Sequence, residues 1–416
     1  MRIELNIVDR AKQQVWLDHF NAALRQALVD GGSGSAGVDH DGLFRSTFAG
    51  EFPVGDRKVL LTWRITKSRE GTLTDLEVSG PTPAADVVEW ERVVERFVTS
   101  VSLAAFTEKR GTHFHRALFY YIGPHLDGEY WLAGYRVGPV LVDDNDPSAT
   151  YVERVLAIDM EVVAVDRMHA RAIGDEMARR HAARLSLLAN IGLYRGSSLQ
   201  FRWVAPDLKS EGNQWSRRQR LDFVHPNVDL SAMPAKGQLC ELGGYTTTLA
   251  ALYRTGGTLL SLPREARRVL RGIERAGATI VDAFDRCARL YQVAMVAGRQ
   301  FPSVDLAYRV AAVDAIAQTA RFSGFSDFVR QHVAPRENTE AALEYLYRSV
   351  RSAHFHGGEF PMGEFARGFV FDPLMDEDRA SMSDLRQVGY ALTREAIVTW
   401  LTRMLPNLPS DGEGAE

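Results

Sequence analysis

Tyr347-Arg348-Ser349-Val350-Arg351-Ser352-Ala353-His354-Phe355-His356-Gly357-Gly358 holds the most usable chemistry in the chain. Arg351 offers a planar fork of N–H donors that suits phosphate oxygens. His356 can take or give a proton near neutral pH. Four residues separate the two. An arginine on a phosphate and a histidine on the neighbouring hydroxyl are the minimal parts for cutting RNA without a metal. The spacing alone is common. Arg110 to His115 and Arg220 to His225 repeat it, and Arg348 to His354 gives a version with five residues between. Structural context has to choose among them.

His113-Phe114-His115 stands just before a strand-like run, residues 117–122, which predicts outward imidazoles at a strand entry. Arg220 to His225 runs into Pro226 and reads as strand then turn. Arg351 to His356 instead closes a helix that opens at Thr339 and carries Leu343, Leu346, Tyr347 and Val350. Gly357 and Gly358 are natural stops for it. Five positions along an α-helix leave two side chains about 140° apart, so the final turn must loosen to bring Arg351 and His356 together. Carbonyls at a helix C-terminus favour a proton on a nearby histidine.

Residues 346–358 resemble the motif helix of the HEPN superfamily of helical ribonucleases, in the form often called Apea-like in bacteria. The shared pattern is a helix rich in Leu and Tyr, then Arg, a polar residue, a short spacer, His and Gly. The preceding helix, residues 306–320 with the acidic Asp314, resembles the helix before the motif in that family. Ser352 departs from the pattern, since Asn, Asp or His is commoner after the Arg. The resemblance spans roughly residues 265–405. It implies a metal-independent RNA endonuclease with no cofactor, leaving 2′,3′-cyclic phosphate ends. Arg351 and His356 would be catalytic, with Ser352, His354 and Tyr347 supporting them and Arg348 on the RNA. Tyr347 would either line the site or face the core. The resemblance also implies a homodimer with a composite active site, and service as a regulated toxin or anti-phage effector.

The whole chain must supply the scaffold for that site. At 416 residues it is long enough for two or more domains. A hydrophobic fraction of 45% provides a sizeable core. The net charge of -4 excludes a basic nucleic-acid coat, so RNA must meet a local patch. Arg264, Arg267, Arg268, Arg271 and Arg275 recur at helical spacing. They form either a basic stripe along an RNA backbone, with Arg264, Arg268 and Arg271 the contacts, or a solvated face broken by Glu265 and Glu274. Trp215-Ser216-Arg217-Arg218-Gln219-Arg220 combines an aromatic with three arginines that could stack on or grip nucleic acid, but reads first as a plain surface loop.

Cys240 and Cys287 are the two cysteines, and neither sits in a C-x-x-C unit, which fits a reducing compartment. The N-terminus carries charges where a signal peptide needs an apolar run, and no apolar stretch approaches a membrane span. A cytoplasmic protein without membrane contact follows. His354, His356 and Glu359 lack a fourth metal ligand nearby, so no metal site is assigned. The glycine-rich residues 31–37 predict a flexible loop, without the Lys-Ser/Thr of a phosphate cradle.

Strands are predicted over residues 59–65, 117–122, 130–137 and 155–165, the last half-buried. Helices are predicted over residues 86–106 and 169–188. From Pro263 onward nearly every segment has a helical period, with Ser303 as one N-cap and Ser383 opening the last helix. The fold class is therefore an α+β N-terminal module followed by an all-α, HEPN-like helical bundle. The division is residues 1–250, a mixed module that senses or regulates through an unknown trigger ligand or protein, then 260–405, then a disordered tail, 406–416. Two other functions fit the sequence. One is a non-catalytic HEPN-like module that binds RNA or dimerises. The other is a metal hydrolase built on His113 and His115.

Overall fold

The computed structural model describes residues 1–405 apart from 8, 29–32, 82–83, 108–109, 142–152, 196–200, 205–215, 220–229, 238–239, 242–258, 299–300, 363 and 366–376. The predicted tail, Trp215, Arg220 and His225 lie outside the described residues. An N-terminal region of β-sheet precedes C-terminal helices. The chain divides into two compact units, Met1–His113 with Val162–Ile173, and Phe114–Glu161 with Gly174–Glu416. The 240–260 stretch, where the sequence changes character, falls within the second unit.

In the first unit, β1 (Arg2–Ile7) and α1 (Arg10–Ala27) lead into β2 (Ser33–Val38), β3 (Phe44–Val54), β4 (Arg57–Lys67), β5 (Leu73–Ser79) and α2 (Ala84–Phe106). The strands form an antiparallel sheet in the order β1-β5-β4-β3-β2. Alternation along β4 explains its burial, with Leu61, Trp63 and Ile65 inward and Leu60 and Arg64 exposed. Trp16 and Phe20 of α1 and Val94 and Val98 of α2 join Phe52 and Trp63 in one core. The loop predicted for residues 31–37 is wrong from Ser33 on. Ser33–Val38 is an exposed strand paired with β3. Glycine fits there because a Cβ on Gly34 would meet Phe48 at 2.9 Å.

The second unit holds a sheet of β6 (Gly111–Ile122), β7 (Tyr130–Leu132), β8 (Tyr135–Leu141), β9 (Glu153–Ala164) and β12 (Cys240–Glu241), in the order β12-β8-β9-β6 with β7 on β8. β10 (Phe201–Val204) and β11 (Ser216–Gln219) form a separate hairpin, so part of the predicted Trp215–Arg220 loop is strand. Both β6 and β9 contribute residues to each unit, as does α3 (Arg167–Ala189). The single strand predicted over 130–137 is a hairpin, turned at Gly134 with φ 79°. β9 is not simply half-buried either. Asp159 is fully buried, held by Arg116 (2.5 and 2.9 Å) and Arg136 (2.8 Å). A buried carboxylate is tolerated when its lone pairs are matched in this way.

The helices follow. They are α4 (Arg264–Gly272) with a 3-10 turn (Ile273–Arg275), α5 (Ala278–Ala297), α6 (Pro302–Thr319), α7 (Phe325–His332), α8 (Thr339–Glu344), a π-helix (Tyr345–Gly357) and α9 (Glu377–Met404). Phe284, Tyr291, Val310, Val313, Phe328, Leu346, Leu392 and Trp400 are all buried. Ser303 does not cap α6. Pro302 begins the helix, and buried Ser303 instead donates to Glu364 at 2.8 Å and accepts from the Met362 N–H at 3.0 Å. α9 starts at Glu377, before Ser383. Among the described residues no helix is long and apolar enough to cross a membrane.

Candidate active site

The helix opening at Thr339 does not stay α-helical until a loosened final turn. It widens at Tyr345 and keeps the i→i+5 bonding through all 13 residues to Gly357. Such a register is rare and recurs at functional sites. Positions five apart stack on successive turns of a helix bonded this way. Arg351 and His356 are five apart. The i→i+5 register therefore narrows the separation of about 140° that a regular α-helix would leave between them. At its end the Gly358 N–H reaches the His354 carbonyl four residues back (3.2 Å), and the Glu359 N–H reaches that of Ala353 six residues back (3.1 Å). Gly358 takes φ 66°, the left-handed conformation that suits a helix stop.

Packing orients one face of this helix onto α6. Leu346 and Val350 are buried. Phe355 meets the edge of Tyr308, ring centroids 5.6 Å apart. Asp314 Oδ2 lies 3.0 Å from Arg351 Nε, yet the N–H is not aligned for a hydrogen bond, so the contact is one of charge. Burial pushes the Asp314 carboxyl up, against the opposing pull of Arg351 and of the Phe325 N–H. The Arg351 guanidinium also lies over the Tyr347 ring, 5.4 Å from its centroid. Tyr347 is 43% exposed, which places it beside the site and not in the core.

The other motif residues take different positions. His354 donates its Nδ1–H to the Glu359 carbonyl (3.1 Å) and packs edge-on against Phe355 and Phe360, which gives it a structural job at the helix end. Ser352 is half-buried beside Arg351. His356 is exposed and makes no side-chain hydrogen bond among the described residues. Its ring is open to a substrate. Arg348 is exposed and pairs with Glu344 at 3.2 Å, a surface contact worth little in stability.

Of the proposed basic stripe, Arg264 is exposed, whereas Arg268 and Arg271 are half-buried and engaged. Arg271 Nη2 lies 3.4 Å from the Trp131 carbonyl, and Arg267 rests over the Tyr130 ring. The helix spends this face on β7. His115 is not an outward imidazole at a strand entry. It lies inside β6, buried, with Nε2 3.1 Å from Asp175, which Arg195 also holds at 2.9 Å. His113 belongs to the other unit. Among the described residues no three His, Cys, Asp or Glu side chains converge as a metal-binding group.

Sequence reading passed over Arg309. This buried cation lies between the rings of Tyr291 (4.5 Å) and Tyr390 (4.4 Å) and donates to Asp305 at 2.6 Å. The only available signal was the i,i+4 spacing of Asp305 and Arg309 on one helix. No known protein family, curated protein or solved structure matches this chain.

Proposed function

We propose that this protein is a metal-independent RNA endonuclease of HEPN type. The observation that supports this reading is the i→i+5 helix, which carries Arg351 and His356 five positions apart with His356 exposed near its end. His356 takes the proton from an RNA 2′-hydroxyl, or gives one to the leaving 5′-oxygen. Arg351 stabilises the charge that gathers on the phosphorane oxygens. Attack of the 2′-oxygen on phosphorus breaks the P–O5′ bond and leaves a 2′,3′-cyclic phosphate and a 5′-hydroxyl. DNA has no 2′-hydroxyl and survives. A homodimer supplies a second Arg and His to a composite site, and the N-terminal β-rich region holds the activity until a trigger arrives. Use as a toxin or anti-phage effector rests on the family resemblance alone.

One observation favours a second reading, a HEPN-like module that binds RNA or dimerises without cutting. Asp314 already balances the charge of Arg351, so a phosphate must compete with it. Cleavage of a labelled RNA and the matching DNA in excess EDTA, by wild type and by His356→Ala, separates the readings. The nuclease predicts cut RNA, intact DNA, and loss of cutting in the variant with RNA binding kept. RNA that wild type binds and never cuts favours the second reading.

A further inference from the structure

A π-register is intrinsically unfavourable over many residues, so tertiary contacts must hold it. Neighbouring helices make contacts on both sides of this segment. Asp314 meets Arg351 and Tyr308 meets Phe355, both from α6. Another comes from α9. A Cβ built on Gly389 would lie 2.9 and 3.0 Å from the two methyl carbons of Leu346 and 3.3 Å from its Cγ. Leu346 is fully buried and stands one residue after the helix widens. Gly389 itself is buried well inside α9, where glycine is a poor helix former. Its use there calls for a packing reason, and the Leu346 side chain supplies one.

We infer that Gly389 is a positioning residue: it is the notch in α9 that seats Leu346, fixes the wide register of the helix, and so keeps Arg351 and His356 on neighbouring turns. An alanine methyl cannot fit against Leu346 without moving it. Leu346 is fully buried, so its side chain has no solvent to move into and the displacement passes along its own helix. The adjustment that recovers room is a return towards the narrower α-register. That return swings His356 away from Arg351. The site is then lost while each catalytic side chain stays intact. This inference rests on the ribonuclease reading for its effect on RNA, but not for its effect on the helix.

Two readouts test it on the full chain. The first is a structural ruler. Arg351→His places a second imidazole five residues before His356, and two stacked imidazoles hold Ni²⁺ more tightly than one. Titration with Ni²⁺ should show a site at least about tenfold tighter in Arg351→His than in Arg351→His/His356→Ala. Adding Gly389→Ala should abolish that gain, and adding Leu346→Val to make room should restore it. The second is RNA cleavage in EDTA, which should fall at least about tenfold in Gly389→Ala and recover in Gly389→Ala/Leu346→Val. No Ni²⁺ gain from Arg351→His, or a gain that survives Gly389→Ala, overturns the positioning role. The ruler behaving as predicted while wild type leaves RNA uncut would keep the positioning role and reject the nuclease.

Discussion

Arg351 sits between two unlike neighbours, a carboxylate on α6 and an aromatic ring on its own helix. Asp314 is the costly one, because burial outweighs Arg351 in setting its carboxyl and pushes it up. An acid raised in the folded state binds protons more readily there than when unfolded. Its contribution to stability is therefore best in acid and declines as pH rises through its raised value. Urea midpoints of wild type should accordingly fall relative to Asp314→Asn as pH climbs from acid to neutral, while the variant loses RNA cleavage because Arg351 is no longer held. A gap that widens in wild type's favour would show that the ion pair outweighs the burial. His181 has the opposite sign. Burial first, then Arg184 and Arg180, lower it to about 3, and it stacks on Tyr135 at 3.8 Å. Its stability contribution is present above about 6.5 and is lost as pH falls towards 3. His181→Phe keeps a stacked ring and should remove acid destabilisation on the order of a few kcal/mol, read from denaturation curves between pH 7 and 4. Residue types and spacing single out Arg351 and His356 as candidates. Neither reveals the burial of Asp159 or His115, since a polar group on a strand reads as solvent-facing until its partners from other elements are known.

Helix positions were readable because apolar residues at three- and four-residue spacing leave a stripe. The register was not. Leu346 and Val350 satisfy i,i+4 burial whether a helix is α or π, so periodicity cannot separate the two. Ser303 failed as a cap for a related reason: a serine before an apolar stripe looks like an N-cap, but this one is buried against Glu364. The widened helix ends at Gly358, which takes φ 66°. Gly358→Ala should cost about 1 kcal/mol. It should also lower cleavage several-fold as the turn carrying His356 frays. Thermal melts and initial rates check both, and an unchanged rate with the expected loss of stability would separate the helix end from the chemistry.

In the second unit, α3 and the residues just after it are tied to the helices that follow in sequence by more than apolar contact. Arg184 donates to Asp285 at 2.6 and 3.1 Å, and Gln292 to the Leu193 carbonyl at 2.6 Å. Arg394 caps the end of α3 through the Leu187 (3.2 Å) and Leu188 (2.6 Å) carbonyls. Asn190 accepts from Tyr291 at 3.0 Å. A cut near residue 260 strands all these groups, with the penalty for each buried polar group left unpaired. A fragment of residues 260–416 should therefore show poor amide dispersion, while a fragment of residues 174–416 should be better ordered. Equal dispersion would mean the bundle stands without α3. Composition shifts along the chain could not reveal this grouping, because its bonds join residues about a hundred or more positions apart. In the proposed ribonuclease Arg351 and His356 act as one site. The direct test is the initial rate of RNA cleavage in EDTA for Arg351→Ala, His356→Ala and the double variant, with the product ends identified. Each single change should cost about 100-fold or more, the double should cost little beyond either, and wild-type ends should be 2′,3′-cyclic phosphate. Losses that multiply in the double variant, or full cleavage by either single variant, would contradict the claim.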